Sequence, residues 1–327
     1  MGLFFYNKIG SIISIGDLPT TNIIEPEKIM VIELKSEQLS VQFNSFGGAL
    51  SSIKDAEGLE YLWQGDATYW SGQAPVLFPI CGSLRDDTAL YIDEKGQESK
   101  GSIPRHGLVR KKEFELVEQT DKSVTFAIED DENSYQNYPY HFRLEITYIL
   151  TGKTVRTQYK IFNKETSKVM PYFIGGHPGF NCPLLDDEVY EDYYLEFEKE
   201  ETCSVPRPFP ETGMLDFQDR SPWLEGQKEL DLSYDLFSTD AVTLDELQSR
   251  TIALRSRKHD KGLKVHFAEF SNLIIWSTLN KGPFIAFEPW SGLSTSLEEG
   301  DHLEDKKNVR LLEPGQVDQI GFDIEIF

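Results

Sequence analysis

The chain has 327 residues, of which 39% are apolar, 12% aromatic and 27% charged, a balance that excludes disordered and fibrous classes. Asp and Glu outnumber Lys and Arg by 55 to 32, for a formal charge of -23. That excess repels phosphate backbones and anionic membrane surfaces, so nucleic acid and membrane are set aside as partners, although acidity is also a common solubility device.

The N-terminal stretch "MGLFFYNKIGSIISIGDLPTTN" has no basic n-region, sustained apolar core or small-residue cleavage site. No segment reaches the roughly 20 apolar residues of a membrane span. The expected location is therefore the cytoplasm, with residues 1–27 as an extension and 28–327 as one domain. From there the dominant period is two. "MVIELKSEQLSVQF" (30–43) alternates apolar and polar residues, and "FRLEITYIL" runs through "TGK" into "TVRTQYKIF" as a β-hairpin with Val155, Thr157, Tyr159 and Ile161 on one face. "DEVYEDYY" (187–194) and "TLDELQSR" (243–250) are the best short helix candidates. The chain ends on "QIGFDIEIF", where Ile320, Phe322, Ile324 and Ile326 line up. Many strands, frequent turn residues and no crossover helices predict an all-β protein, an antiparallel sandwich or barrel.

Three cysteines, Cys81, Cys182 and Cys203, are widely spaced and odd in number, which writes neither a disulfide framework nor a zinc pattern. Two histidines sit in unusual company. His177 lies in "GGHPGF", where the following proline biases it to extended backbone and the glycines before it permit close approach. His106 lies in "PRHGLVR". A histidine is more often a satisfied core or surface residue than a functional one. Glu288, in "FIAFEPWSG", ends an apolar run, where an ionised carboxylate needs a partner or a shifted pKa; a structural ion pair with an arginine is the ordinary alternative.

Taken together, "FPICGSLRDD" (78–87), "PRHGLVR" (104–110), "GGHPGFNCPL" (175–184), "DLFSTDAV" (235–242) and "FEPWSGL" (287–293) resemble the aldose 1-epimerase (galactose mutarotase) family, and within it the LacX-like branch. Their order and spacing span nearly all of residues 30–327. The resemblance implies a large antiparallel β-sandwich, the galactose mutarotase-like supersandwich, whose concave face binds a small-molecule sugar. It implies His177 as general acid, Glu288 as general base, and His106 as a sugar contact near the ring oxygen. Anomer interconversion takes the proton from the C1 hydroxyl and delivers one to the ring oxygen, so it needs an acid and a base but no cofactor and no metal.

The aromatic residues Trp63, Trp70, Phe180 and Trp290 offer flat faces to a pyranose, but such rings are more often core, and only Trp290, beside Glu288, is carried forward as a contact. Two departures from the family pattern bear on the substrate. Family members often carry a basic residue directly after the glycine of the "CGSLRDD" segment, where this chain has Ser83, leaving Arg85 as the substrate contact. Asp235 and Asp240 compete for the role of the aspartate that bonds sugar hydroxyls, with Asp240 favoured. Gly179, where alanine is usual, is expected to matter little. The leading expectation is an isomerase acting on a free hexose. The alternatives are a hexose-6-phosphate 1-epimerase, for which Arg85, Arg105 and Arg110 offer the positive charge, and a noncatalytic sugar-binding protein on the same fold. Nothing in the sequence specifies an oligomeric state.

Overall fold

The computed structural model describes residues 30–92 and 95–327, so the expected N-terminal extension lies outside the described residues. The predicted alternation becomes an antiparallel sheet wherever it is regular. Residues Phe142–Thr151 and Thr154–Asn163 form the expected hairpin in unbroken register, and the last strand, Val317–Ile326, pairs with the second of them, Tyr159 opposite Ile320. These strands lie centrally in a nine-stranded sheet that runs from Met214–Asp231 at one edge to Glu115–Gln119 at the other. Val155, Thr157, Tyr159, Ile161 and the four aligned residues of the last strand are all buried, as a period-two pattern with one dry face requires.

A second sheet, six-stranded, has the order Val242–Leu244, Asn272–Trp276, Phe284–Trp290, Gly175–Gly176 and Val76–Leu77, with Gly179–Asn181 also pairing along Phe284–Trp290. Phe284–Trp290 is buried along its whole length, which explains the apolar run Phe284–Phe287 that precedes Glu288. One face of this sheet packs on the nine-stranded sheet: a Cβ on Gly176 would lie 2.7 Å from the Phe322 ring and 3.1 Å from the Tyr159 hydroxyl. The apolar cluster between the layers is continuous from Ile32 to Ile326. The architecture is thus the all-β antiparallel sandwich that the pattern predicts.

Neither helix candidate is an α-helix. In 187–194, Tyr190 and Tyr193 are both buried at helical spacing, but only Tyr190–Asp192 coils, as a 3-10 turn, before Tyr193 enters a long strand opposite Ser256. In 243–250, Leu244 and Leu247 show the same spacing. There the buried Glu201 carboxylate accepts the backbone N–H groups of Gln248 and Ser249, and so holds the segment as a turn. The α-helix of the described residues is Glu132–Asn137, started by Asp131, whose carboxylate accepts the N–H of Ser134 at 2.7 Å. The three cysteines are buried and unpaired, and no helix of the described residues is long and apolar enough to cross a membrane.

Candidate active site

The outer face of the six-stranded sheet forms the floor of a cavity of about 320 Å³, at the small end of ligand sites, which span roughly 300–1,000 Å³. Its floor follows from strand register. Gly175 pairs with Trp290 and Gly179 with Ala286, so one antiparallel register sets position 177 opposite position 288. Glu288 pairs with Ile274, Ile274 with Thr243, and on the other side the His177 N–H donates to the Pro75 carbonyl. Thr243, Ile274, Glu288, His177 and Pro75 are therefore one transverse row, and all five line the cavity. Pleating sends Gly176 to the core and His177 to the cavity, and likewise Phe287 and Glu288.

His177 Nε2 lies 3.2 Å from Glu288 Oε2. Residue exposures of 7% and 1% leave almost no water for either group, and burial drives both toward their neutral forms. The His177 imidazole is pushed down to about 3 by desolvation, with the charges of Arg110 and Arg105 acting the same way. The Glu288 carboxyl is raised well above the ordinary range by desolvation and by the Asp240 charge. Buried polar atoms without a hydrogen-bond partner number seven among the described residues. Three of them, His177 Nδ1, Glu288 Oε2 and Trp290 Nε1, belong to this cavity. These orphaned polar groups converge on one space, where a polar ligand would satisfy them.

His106 stands over the row, its ring centroid 5.4 Å from that of His177 and 5.5 Å from that of Trp290. Its backbone adopts φ 69, an unusual state for a non-glycine residue. A backbone hydrogen bond to Gly82 holds it there, and Nδ1 accepts the Gly82 N–H at 3.3 Å. Burial holds this ring well below the usual histidine range, helped by His177 and the two arginines. It is therefore neutral, and with Nδ1 accepting, the proton sits on Nε2, available for donation.

Of the residues expected from the sequence, His106, His177, Asp240, Glu288 and Trp290 share this one cavity. Asp235 is exposed and does not line it. Arg85 is placed elsewhere: its guanidinium bonds Asp301 at 2.7 Å and the carbonyls of Ser296 and Glu299, so it fastens a loop. The cations that do line the cavity are Arg105 and Arg110. Ser83, which takes the place of the family's basic residue, accepts a hydrogen bond from Arg105 Nε at 2.7 Å and so brings a guanidinium back to the same neighbourhood.

Aromatic contributions divide differently from expectation. Trp290 is joined at the cavity by Trp70 and Trp276. Trp63 stacks on Phe284 and donates its indole N–H to the Trp70 carbonyl, while Phe180 packs on Phe287 in the core. A hairpin tip closes the far wall with Pro208, Gly213, Met214 and Leu215. Gly213 has φ 71, and a Cβ there would collide with the Arg105 guanidinium, so this turn needs glycine twice over.

An antiparallel β-sandwich with a histidine and a glutamate facing one cavity is the arrangement that the resemblance to aldose epimerases implies. The family profile of aldose 1-epimerase matches residues 30–310, and the chain belongs to that family. It is 59% identical over 297 residues to the plasmid-encoded protein LacX of Lactococcus lactis subsp. lactis, covering 91% of this chain and 99% of that protein. Among solved structures, a galactose mutarotase related enzyme from Lactobacillus acidophilus superposes with a TM-score of 0.84 at 29% identity, covering 91% of this chain and 97% of the other. A galactose mutarotase-like protein from Lactobacillus casei superposes at 0.82 and 28% identity, covering 91% of this chain and all of the other.

Proposed function

We propose that the protein is an aldose 1-epimerase-type isomerase that interconverts the α and β anomers of a hexose, with His177 and Glu288 moving the protons. The observation that carries this reading is the pair itself: an acid and a base 3.2 Å apart, nearly dry, with unpartnered atoms facing a small cavity. Binding alone needs no such pair.

Burial favours one proton on the pair, resting on Glu288. The other tautomer, a Glu288 carboxylate beside a His177 imidazolium, is the form that opens the ring. Glu288 takes the C1 hydroxyl proton, the C1–O1 bond becomes a carbonyl, the C1–O5 bond breaks, and His177 protonates O5. The pair then stands in its resting form, protonated Glu288 and neutral His177, which is the form that closes the ring. After rotation about C1–C2, His177 takes the O5 proton, O5 attacks the opposite carbonyl face, and Glu288 returns a proton to O1. The two tautomers are thus the two ends of one step, and the low dielectric of the site favours the neutral one at rest. The neutral His106 donates to the sugar, Asp240 accepts from its hydroxyls, and Trp290 covers its C–H face.

The test is the rate at which fresh α-galactose, α-glucose and their 6-phosphates reach anomeric equilibrium, by polarimetry or proton NMR, against Glu288→Gln and a protein-free control. Acceleration that disappears in Glu288→Gln is expected. No acceleration with any of the four sugars refutes the reading, and a His177→Asn protein that isomerises normally removes His177 from it.

A further inference from the structure

We infer that Thr243 is a sugar contact whose hydroxyl bonds a ring hydroxyl on C2, C3 or C4 and so helps to fix which hexoses the site accepts; this rests on the isomerase reading above and adds a residue that sets its specificity. The observation is a buried hydroxyl without a partner. Four threonines are buried among the described residues. Thr125 pairs with Thr147, Thr295 accepts from Lys306 Nζ, and Thr157 lies between the two sheets beside Tyr159 and Phe322. Thr243 is 6% exposed and makes no side-chain hydrogen bond among the described residues. Of the four, it is the one that lines the cavity.

Register sets the direction of this side chain. Thr243 pairs with Ile274 and Ile274 with Glu288, so pleating turns all three to the same face. Neighbouring strands are about 4.8 Å apart, which puts Thr243 about 9.6 Å from Glu288, backbone to backbone. Ile274 fills the step between them and gives the C–H side of a ring an apolar floor. Trp276 and Trp290, each two residues past the row on antiparallel strands, wall it on opposite sides. At the far end Trp70 lies against His177, and His106 stands over it. A hexose that presents C1 and O5 to the acid/base pair therefore has its room over Ile274, with a ring hydroxyl in reach of Thr243.

Thr243 also supplies a donor to this end of the cavity. An ionised carboxylate such as that of Asp240 only accepts, whereas a sugar hydroxyl stripped of water has an oxygen to satisfy as well as a proton. The threonine hydroxyl can give that oxygen a hydrogen bond. Left unpartnered and desolvated it is unfavourable in the free protein, and a bond to the substrate relieves this. A sugar that lacks the matching hydroxyl leaves Thr243 unpaired and is rejected on that account. Nothing in the sequence marks the residue, which opens the 243–250 segment expected to be helical; only its place in the strand register shows what it faces.

The test measures kcat/KM by exchange NMR for wild type, Thr243→Val and Thr243→Ser on glucose, galactose and their 2-, 3-, 4- and 6-deoxy forms, with Tm for each variant. Thr243→Val should lower kcat/KM for the parent hexose about three- to tenfold, the range for one neutral hydrogen bond, and Thr243→Ser should restore it. One of the 2-, 3- and 4-deoxy sugars should be turned over equally by wild type and Thr243→Val, and that sugar identifies the hydroxyl. The Tm of Thr243→Val should equal or exceed that of wild type, because no bond within the protein is lost. Unchanged kinetics in Thr243→Val overturn the inference. So does an equal loss with every sugar, which is a structural effect, and so does insensitivity confined to the 6-deoxy form, which moves the contact to the exocyclic carbon. Each of these leaves the isomerase reading standing. If wild type turns over none of the sugars, that reading falls, and the same panel run as binding by saturation-transfer NMR decides Thr243. Weaker binding of the parent hexose to Thr243→Val, with no difference for one ring-deoxy sugar, keeps the contact; uniform or absent binding overturns it.

Discussion

The indole of Trp70 lies flat against the imidazole of His177, ring centroids 4.8 Å apart and planes 27° from parallel. Trp276 meets both rings edge-on, so His177 can turn only if two tryptophans move. This restraint aims a buried proton carrier that has no hydrogen bond at Nδ1 to aim it.

The stack depends on a residue expected to matter little. A Cβ on Gly179 would lie 2.8 Å from Trp70 Cζ3 and 3.3 Å from Trp63 Cβ, so Gly179→Ala must displace Trp70 and with it the His177 ring. The variant should fold, because the displaced indole is partly exposed, yet lose about tenfold in kcat, since small misplacement of a reacting group is costly. Steady-state anomerisation kinetics, with near-UV circular dichroism to report the tryptophans, decide this. An unchanged kcat would mean that the stack does not position His177.

Glu288→Gln separates function from stability. It should lower kcat by about 10²–10⁴, the range for loss of an acid/base group, while raising Tm by a few degrees at neutral pH. The sign follows from the raised folded pKa of Glu288. Its folding contribution is fully present below the unfolded value and is lost as pH rises through the folded one, so at neutral pH this acid destabilises the native state. A Glu288→Gln variant less stable than wild type at pH 7 contradicts the assignment of a buried, raised carboxyl.

Much of this geometry is legible in the chain. The period-two runs at 142–162 and 319–327 specify the centre of the nine-stranded sheet because their inward residues are apolar apart from Thr157, and the run at 30–43 belongs to a separate three-stranded sheet. The glycine, proline and acidic signals around His177 and Glu288 mark the pair that register then places face to face. Arg105 and Arg110 carry no such mark. They flank His106 like any surface cations, and what distinguishes them is that neither pairs with a carboxylate among the described residues, which no sequence displays. Trp276 in "NLIIWST" reads as core for the same reason, since nothing local tells a cavity wall from an interior. The long strands Tyr193–Phe209 and Met214–Asp231 escape the alternation rule because their pairing shifts register repeatedly and much of their surface is exposed. Arg85 misleads because its neighbours in sequence belong to the site while its partners, Asp301 and the carbonyls near it, are remote.

Arg85→Gln should therefore weaken the fold more than the site. Removing the guanidinium unpairs Asp301 and leaves the carbonyls of Ser296 and Glu299 without their donor. Charged hydrogen bonds contribute about 1.5–3 kcal/mol when well shielded. The side chain is 30% exposed, so screening puts the loss nearer about 1 kcal/mol. Thermal unfolding should report that drop alongside a KM close to wild type. A large rise in KM with unchanged Tm would restore Arg85 as a substrate contact.

The pH dependence of stability offers the most direct view of the two histidines of the site. With His177 at about 3 when folded and near 6.5 when unfolded, the unfolded chain binds a proton that the folded chain refuses throughout that interval. Stability is thus full above about pH 6.5 and falls as pH drops, approaching about 1.4 kcal/mol per pH unit for this one group. His106, also held well below the ordinary value, adds to the fall. Glu288 acts oppositely, gaining stability as pH drops toward its unfolded value near 4.5, so wild type shows a shallower net slope than the histidines alone would give. Chemical denaturation at intervals from pH 7.5 to 5 resolves the parts. Glu288→Gln should steepen the acid-side loss, because the compensating group is gone, and His177→Asn should flatten it. If His177→Asn leaves the slope of wild type unchanged, the imidazole titrates alike in both states, and the neutral, buried resting form of the pair is refuted.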